Sequence, residues 1–489
     1  MKIKVYPIFF LFFPFLAFSQ SEDNSIQQAI NKFTLNEELL SSAISFMAYD
    51  LDNDQTLANH NSKLTIPTAS TTKLFSTAAA FELLGKDYRP KTELYYSGFI
   101  DNDSILHGDI VIRGLGDPSL ASGYFYKKEE QDKFLIDWVE LIKKKGIKQV
   151  DGKVLADGSA FGYNGVPDGW SWSDLGNYYG AGPSGVALYD NMTYLHFSTS
   201  SQLNGPTYLD SMTPNILGFE LDNQVQTYNG NADNAYIYGG PFSNKRFATG
   251  SLPRSKTNFQ VKSSIPDPEL LLAQLFERVL NENEVSVLAP AIGYRTYRNV
   301  LDTLLNYKEL TFIHSQQGKT VNEIAYWTNL RSVNFFAEQL LCLIGYEKGG
   351  NGSSSFSTNY VVNFWNSKLG TQLFMRDGSG LSRSNGFSSD DFILLLKYMY
   401  KSKNYKDFLA TLPVAGESGT LRSVGRGQVA QGRVMAKSGT MNKIKSYAGY
   451  VTSKSGKNIA FAITINNYGY SNAQLMKEIE KVMNAMAGY

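Results

Sequence analysis

Apolar residues in the stretch PTASTTKLFSTAAAFELLG, residues 67–85, recur at intervals of three and four. That spacing places them on one face of a helix, which begins near Ser70 and ends at Gly85. Upstream, the run AISFMAYDL alternates in the manner of a strand and is followed by the turn DNDQ. The pattern therefore predicts a strand, a turn and a largely buried helix in this order.

The end of the chain predicts a sheet followed by a helix. The runs GRVMAKSGT and SYAGYV precede the turn TSKSGKN and the run IAFAITI, which alternates with a period of two. The last helix carries one apolar face, made of Leu475, Ile479, Val482 and Met486. Its charges have both signs, so we expect it to pack on the sheet and not on a membrane surface.

The middle of the chain differs from its two ends in composition and in predicted secondary structure. From about Lys91 to Val300 it is rich in Tyr, Asn and Gly, with short alternating runs and two clear helices, DKFLIDWVELIKKK and PELLLAQLFERVL. Long helices return after that, and the run GGNGSSSFSTN, residues 349–359, predicts a flexible surface loop. The patterns predict an α/β domain in two parts, residues 20–95 and 301–489, interrupted by a β-rich insertion, residues 96–300, that forms one or two extra domains.

Composition restricts the class of protein. The chain of 489 residues has 46 Lys plus Arg against 45 Asp plus Glu, so it offers no basic field for nucleic acid. The first residues, MKIKVYPIFFLFFPFLAFSQ, resemble a secretory signal over residues 1–19, with a retained anchor as the alternative. The single cysteine, Cys342, forms no internal disulfide and lies among apolar residues. Export without disulfides fits a bacterial periplasm.

The candidate chemistry points to a lysine-assisted serine. None of the four histidines lies in a zinc-binding spacing, and no serine is flanked as G-x-S-x-G. Ser70 and Lys73 are three residues apart and share a helix face, so that the amine can reach the hydroxyl. Such a lysine acts as a base only when burial or a second cation depresses its pKa. The alternative is an N-capping serine and a solvated lysine.

Two further patterns favour the catalytic interpretation. Ser332-Val333-Asn334 falls between two predicted helices, and Lys437-Ser438-Gly439-Thr440 falls on a predicted strand. Each pattern is weak alone, since Lys454-Ser455-Gly456 repeats K-S-G in a turn, and S-x-N recurs at residues 357–359 and 402–404. The order S-x-x-K, S-x-N, K-[ST]-G, each in the right structural context, is typical of penicillin-binding proteins and serine β-lactamases.

The chain resembles the D-alanyl-D-alanine carboxypeptidase/endopeptidase family of low-molecular-mass, class C penicillin-binding proteins. Besides the three motifs, the stretches that match in order are GDIVIRGLGDPSL, GKVLADGSAF, GWSWSDL, SVNFFAEQLL, RDGSGLSRSN, LPVAGESGTL and AKSGTMNKIKSYAGYV. The long insertion between Ser70 and Ser332 is typical of this family, and β-lactamases lack it. The resemblance implies a serine β-lactamase/DD-peptidase-like fold, with an antiparallel sheet flanked by helices.

The resemblance implies a role for each motif residue. Ser70 would be the acylated nucleophile and Lys73 its base. Ser332 would pass the proton to the leaving amine, and Asn334 would hold the substrate amide. Lys437 would be a second cation that helps to keep Lys73 neutral and contacts the substrate carboxylate.

The remaining residues of the strand motif would complete the site. Ser438 and Thr440 would bind the substrate carboxylate with their hydroxyl groups, and Gly439 lies between them. The backbone N–H groups of Ser70 and Thr440 would form the oxyanion hole. Ser438 stands where threonine is more frequent, and the hydroxyl group is retained.

Other residues have two interpretations. In the family resembled, the aspartate that matches Asp157 faces the cleft and pairs with the free amine of the third substrate residue. Alternatively, Asp157 only orders its own turn beside Gly158 and Ser159. Trp170 and Trp172, in GWSW, are more typical of core aromatics than of a platform for sugar rings.

These observations predict a periplasmic serine peptidase that cleaves D-Ala-D-Ala ends or cross-links of peptidoglycan peptides. We predict no cofactor and no metal. The expected partners are peptidoglycan peptides and β-lactam antibiotics as covalent inhibitors, but no nucleic acid; a loose association with the membrane or the wall is compatible with this. The alternatives are a serine β-lactamase of the same fold, and a weakly catalytic protein that senses β-lactams or binds the wall.

Overall fold

A computed structural model describes residues 25–301 and 304–489 of the chain. The predicted signal peptide, residues 1–19, lies outside the described residues. Across both described ranges, no helix combines the length and the apolar character needed to cross a membrane.

The strands predicted near the two ends of the chain meet in one antiparallel sheet. Its five strands lie in the order Gln55–His60, Ala43–Asp50, Asn458–Asn466, Ile444–Thr452, Val434–Met441. Strand Ala43–Asp50 thus pairs with a strand from the far end of the chain, and Val434–Met441 forms an edge of the sheet. We call these five strands the central sheet.

Helices cover both faces of the central sheet, which is why strands Ala43–Asp50, Ile444–Thr452 and Asn458–Asn466 are almost wholly buried. Phe46 and Ala48 pack in one core, whereas Met47 and Tyr49 pack in another, because successive side chains of a strand point to opposite faces. Helices Ser25–Thr34 and Asn472–Gly488 cover the first face. The helices on the other side are Lys73–Leu83, Val321–Leu330, Asn334–Gly349, Ser354–Leu369, Ser389–Lys401 and Tyr405–Ala410.

The middle of the chain builds further sheets around a separate core. A five-stranded sheet has the order Ile292–Gly293, Val154–Asp157, Ile110–Gly114, Lys91–Tyr96, Thr311–Gln317. A four-stranded sheet has the order Ser286–Val287, Gln149–Val150, Ile105–His107, Phe99–Ile100. The helices of this part are Lys133–Lys144, Trp172–Leu175, Pro268–Glu282 and Tyr294–Leu301.

Residues 192–264 form a smaller β-rich unit with its own apolar core. Its first sheet has the order Thr207–Thr213, Met192–Thr199, Phe259–Ser264, and its second has the order Glu220–Asn223, Lys245–Thr249, Tyr236–Tyr238. Strands Gln226–Tyr228 and Ser251–Pro253 pair separately. The α/β class with a large β-rich insertion is therefore confirmed. The boundaries at residues 95 and 300 stay predictions.

Two local predictions are wrong. Residues 349–359 are not one loop, because helix Ser354–Leu369 begins inside the Gly- and Ser-rich run and buries Val361 and Trp365. Trp172 is not a core aromatic, since its side chain is 59% exposed, whereas Trp170 is partly buried.

Candidate active site

The serine of the S-x-x-K motif lies in a tight turn that leads into a buried helix. A short 3₁₀ turn, Ala69–Thr72, precedes helix Lys73–Leu83, and Ala69 adopts a left-handed φ of 47°. Ser70 is partly exposed, and its Oγ lies 2.8 Å from Lys73 Nζ. The spacing of three residues therefore brings the hydroxyl and the amine into hydrogen-bond contact, as predicted.

Lys73 is fully buried and has three polar neighbours. Besides Ser70, its Nζ contacts Asn334 Oδ1 and the Ser379 carbonyl oxygen, each at 2.6 Å. Burial lowers the pKa of Lys73 to about 7, although the Asp377 and Glu338 carboxyl groups oppose this shift. A neutral amine has two hydrogens and one lone pair. It can donate to Asn334 and Ser379 and still accept the proton of Ser70.

Ser332 and Lys437 form a second contact of the site. Ser332 lies between helices Val321–Leu330 and Asn334–Gly349 with a left-handed φ of 60°. The buried Lys437 donates from Nζ to Ser332 Oγ at 2.9 Å and to the Ser438 carbonyl at 2.6 Å. Burial, followed by repulsion from Lys73, holds the pKa of Lys437 well below its ordinary value. Both motif lysines are thus buried close to each other, and burial together with their mutual repulsion favours their neutral amine forms.

Asn334 links the site to the insertion. Its Oδ1 accepts from Lys73, and its Nδ2 donates to the Tyr179 carbonyl oxygen at 2.8 Å. Tyr179 belongs to the segment that follows helix Trp172–Leu175, far away in the chain. The Asn334 side chain therefore bridges Lys73 and the inserted part of the protein.

The K-S-G-T motif lies on edge strand Val434–Met441, directly beside the serine turn. A Cβ atom on Gly439 would lie 2.5 Å from the Thr68 carbonyl oxygen and 3.0 Å from the Ser70 nitrogen. Only glycine allows this close approach of strand and turn. Ser438 Oγ donates to Thr420 Oγ1 at 2.7 Å, and Thr440 Oγ1 accepts from Lys445 at 2.9 Å.

Sequence reasoning missed the groups that support these residues. Glu338 is fully buried and accepts from the backbone N–H groups of Gly378 and Ser379 at 2.9 and 2.7 Å. This aims the Ser379 carbonyl at Lys73. Burial and the nearby Asp377 raise the pKa of Glu338 to about 8. The stretch SVNFFAEQLL contains Glu338, but only the fold reveals that it meets the loop 377–385.

Asp377 orders the loop that carries Ser379. Its carboxylate accepts from the N–H groups of Gly380 and Ser382 and from the Asn385 side chain. It also accepts from Trp170 Nε1 at 2.8 Å, which is a second link to the insertion. The glycine-rich loop thus forms a wall of the site, held from both sides.

Asp157 is not part of this hydrogen-bonded group. It is buried, and its Oδ1 accepts from the Ser159 N–H at 2.8 Å, while its Oδ2 accepts from the Tyr307 hydroxyl. It borders a cavity of about 330 Å³ whose other walls include Arg113 and Tyr346. The bond to Ser159 agrees with the turn-ordering interpretation, and the specificity role stays a prediction.

The chain is similar to known proteins over most of its length. The chain is 25% identical over 452 residues to the D-alanyl-D-alanine carboxypeptidase DacB of Haemophilus influenzae, covering 90% of this chain and 88% of that protein. It is 28% identical over 414 residues to a D-alanyl-D-alanine carboxypeptidase of Actinomadura, covering 82% and 73% of the two chains. The crystal structure of penicillin binding protein 4 from Haemophilus influenzae superposes with a TM-score of 0.75 at 22% identity, covering 94% of this chain and 99% of that chain. The predicted fold is thereby confirmed.

One protein-family model matches nearly all of the described residues. The model of the D-Ala-D-Ala carboxypeptidase 3 (S13) family matches residues 26–488, from the first helix to the end of the last one. The match spans the three motifs and the insertion between them, as the resemblance implied. The chain belongs to the D-Ala-D-Ala carboxypeptidase 3 (S13) family.

Proposed function

We propose that the protein is a serine-type DD-peptidase that cleaves D-Ala-D-Ala ends and D-Ala cross-links of peptidoglycan peptides through an acyl-enzyme at Ser70. The family supplies the reaction class. The observation that carries the assignment of residues is the contact of 2.8 Å between Ser70 Oγ and the buried Lys73 amine. A lysine whose pKa is about 7 is able to act as a base at neutral pH.

Acylation follows from the contacts of the two motif lysines. Neutral Lys73 takes the proton of Ser70 while Ser70 Oγ attacks the carbonyl carbon of the penultimate D-Ala. The N–H groups of Ser70 and Thr440 stabilise the oxyanion, each worth about 10²–10³ in rate. Collapse breaks the peptide bond, and the proton that Lys73 took from Ser70 passes to the leaving amine by way of the Ser332 hydroxyl, which lies 2.9 Å from Lys437 Nζ.

Deacylation uses the same groups in reverse. Water attacks the ester carbonyl and loses a proton to the base, and the Ser70 oxygen recovers its hydrogen as the acid product leaves. Before acylation, the terminal carboxylate of the intact substrate binds beside Lys437 and the hydroxyl groups of Ser438 and Thr440, and its negative charge favours the ammonium form of Lys437. Asn334 holds the substrate amide with the Nδ2 hydrogen that Tyr179 does not use.

Penicillin reacts by the same route because its strained amide replaces the peptide bond at Ser70. We place this reaction in the periplasm, on the strength of the signal-like residues 1–19. Peptidoglycan peptides and β-lactams are then the partners of the site. A β-lactamase would differ by rapid turnover of the penicilloyl-Ser70 ester.

Covalent labelling tests the assignment. Purified protein incubated with a penicillin should gain one adduct, on the peptide that contains Ser70, and Ser70→Ala should gain none. The variant should still fold, because one partly exposed hydroxyl at a helix start costs only about 1 kcal/mol. Cross-linked muropeptides offered to the same protein should be cleaved, with mass analysis of the products. Labelling that persists in Ser70→Ala would refute Ser70 as the nucleophile.

A further inference from the structure

The smaller β-rich unit carries aromatic side chains on the outward face of one sheet. In strand Tyr236–Tyr238, Ile237 is fully buried while Tyr236 is 49% exposed and Tyr238 is partly exposed. Alternation along a strand therefore directs both tyrosines outward. Phe247 lies opposite Tyr238 on the neighbouring strand, with the two ring centroids 5.9 Å apart.

Trp172 extends this face. It begins helix Trp172–Leu175, is 59% exposed, and places its ring centroid 6.5 Å from that of Tyr238. We call Trp172, Tyr236, Tyr238 and Phe247 the aromatic row. The rings of Trp172, Tyr238 and Phe247 are neighbours and none is buried, and a contiguous patch of exposed aromatic side chains is a common mark of a binding site.

Polar side chains border the aromatic row. Thr249 lies opposite Tyr236, and the exposed Asp222 lies opposite Phe247. Paired residues of neighbouring strands point to the same face, so these oxygen atoms lie beside the rings. The surface therefore offers flat apolar rings together with hydrogen-bond acceptors, which suits a ligand that has both apolar faces and hydroxyl groups.

The aromatic row is tied to the catalytic site through one segment, residues 170–179. Trp170 Nε1 donates to Asp377 at 2.8 Å, and Asp377 orders the loop that contacts Lys73. The Tyr179 carbonyl accepts from Asn334 at 2.8 Å. Trp172 thus lies, in sequence, between Trp170 and Tyr179, the two residues that contact the walls of the catalytic site.

We propose that the aromatic row binds sugar rings of the glycan strand that carries the peptide being cleaved. The proposal rests on the proposed function, in which the peptide hangs from a polysaccharide. A sugar ring presents C–H groups on its faces and hydroxyl groups on its edges, matching rings bordered by oxygen atoms. Because the row adjoins the segment that meets Asn334 and Asp377, a glycan bound there would remain close to the peptide at Ser70.

The experiment compares two substrates with the same scissile bond. One is a cross-linked peptide still attached to glycan chains of several disaccharides, and the other is the same cross-linked peptide freed from its glycan. For Trp172→Ala, we expect kcat/KM to fall about tenfold on the glycan-bearing substrate and to stay unchanged on the free peptide. Trp172→Phe, which retains a flat ring, should recover most of the loss.

Tyr208→Ala is the matched control, because Tyr208 is also 59% exposed but lies on the other sheet of the same unit. Its kcat/KM should match that of the unaltered protein on both substrates. In a second measurement, Ser70→Ala should bind peptide-free glycan chains, and Ser70→Ala combined with Trp172→Ala should bind them at least about tenfold more weakly.

Each other result would overturn the glycan site. If kcat/KM of Trp172→Ala fell equally on both substrates, Trp172 would act only through the catalytic site. If kcat/KM fell on neither substrate, the aromatic row would not bind the glycan. A change of oligomeric state in Trp172→Ala with unchanged cleavage would assign the row to contacts between copies of the chain. If the unaltered protein cleaved neither substrate and bound no penicillin, the proposed function would fail instead.

Discussion

The proposed role of Lys73 as the base predicts how acylation depends on pH. Its pKa of about 7, lowered by burial, means that the neutral base is scarce at pH 5.5 and dominant at pH 8.5. The rate constant of penicillin acylation should therefore rise with pH, with a midpoint near 7, and level off above it. Stopped-flow acylation between pH 5.5 and 9 measures this profile. A rate that is flat or falls over this range would exclude Lys73 as the base.

Two lysines with the same local sequence should behave differently. Lys437 is buried and contacts Ser332, whereas Lys454 is exposed in the turn between two strands. Lys437→Ala should reduce peptide turnover about a hundredfold or more, because the amine that contacts Ser332 and would bind the substrate carboxylate is lost. Lys454→Ala should leave turnover nearly unchanged. Steady-state kinetics of both variants on one peptide would show the contrast, and equal losses would mean that the strand motif has another role.

Asp157 provides a test of substrate choice. If its carboxylate pairs with the free amine of the third substrate residue, Asp157→Ala should lower kcat/KM for such peptides by about ten- to a hundredfold. Penicillin acylation should stay nearly unchanged, since penicillin lacks that amine. The two rates are compared in one preparation. If peptide cleavage and penicillin acylation fell together, or if neither fell, Asp157 would have no role in substrate choice and would only order the turn at Ser159.

Elements around Ser70 are held by close backbone contacts. Gly380 has a left-handed φ of 81°, and a Cβ atom there would overlap the Ala69 carbonyl oxygen. Gly427 has a similar φ of 74° with nothing within 4 Å of the added atom. Both substitutions to alanine should cost about 1–2 kcal/mol for the backbone, but only Gly380→Ala should also displace the serine turn.

The measurements that separate these glycines are thermal unfolding and the acylation rate. Gly427→Ala should lower Tm slightly and acylate at the normal rate. Gly380→Ala should lower Tm further and slow acylation by about tenfold or more, since a displacement near the reacting atoms is costly. Normal acylation by a folded Gly380→Ala protein would contradict the importance of this contact.

The elements that the sequence predicts well are those with local periodicity. The serine helix, the C-terminal strands and the last helix follow from apolar spacing, and each motif lies in its predicted context. Helix Ser354–Leu369 was missed because its first turn is built from serines, which resemble a loop although they also favour helix starts. Glu338 and Thr420 were missed because their partners are 40 and 18 residues away and no local spacing marks such contacts.

At the scale of the molecule, hydrogen bonds connect the insertion to the candidate active site. The peptidase part supplies Lys73, Asn334 and Asp377, and the insertion contributes the Tyr179 carbonyl and the Trp170 indole to the last two. Hydrogen bonds to the smaller β-rich unit hold the segment that carries both groups. In particular, Asn177 donates to the Ile237 carbonyl and accepts from the Ile237 N–H. A series of contacts thus connects the smaller β-rich unit, through residues 177–179 and Asn334, to Lys73.

This continuity predicts an effect at a distance. Asn177→Ala should remove both bonds to Ile237, cost about 1–3 kcal/mol of stability, and slow penicillin acylation about tenfold, because Tyr179 no longer holds Asn334 firmly. Asn223→Ala is the control. That side chain also bonds backbone groups of Thr207 and Val225 within the same unit.

The two variants should therefore lose similar stability in denaturant unfolding but differ in acylation. The hydrogen bonds of Asn223 go to Thr207 and Val225 and reach neither segment 170–179 nor loop 377–385, so its loss should leave the rate at Ser70 unchanged. If both variants acylate normally while folded, the insertion is only attached to the peptidase part. If Asn177→Ala alone is slow, the smaller unit positions Asn334 and thereby contributes to the reaction without touching the substrate.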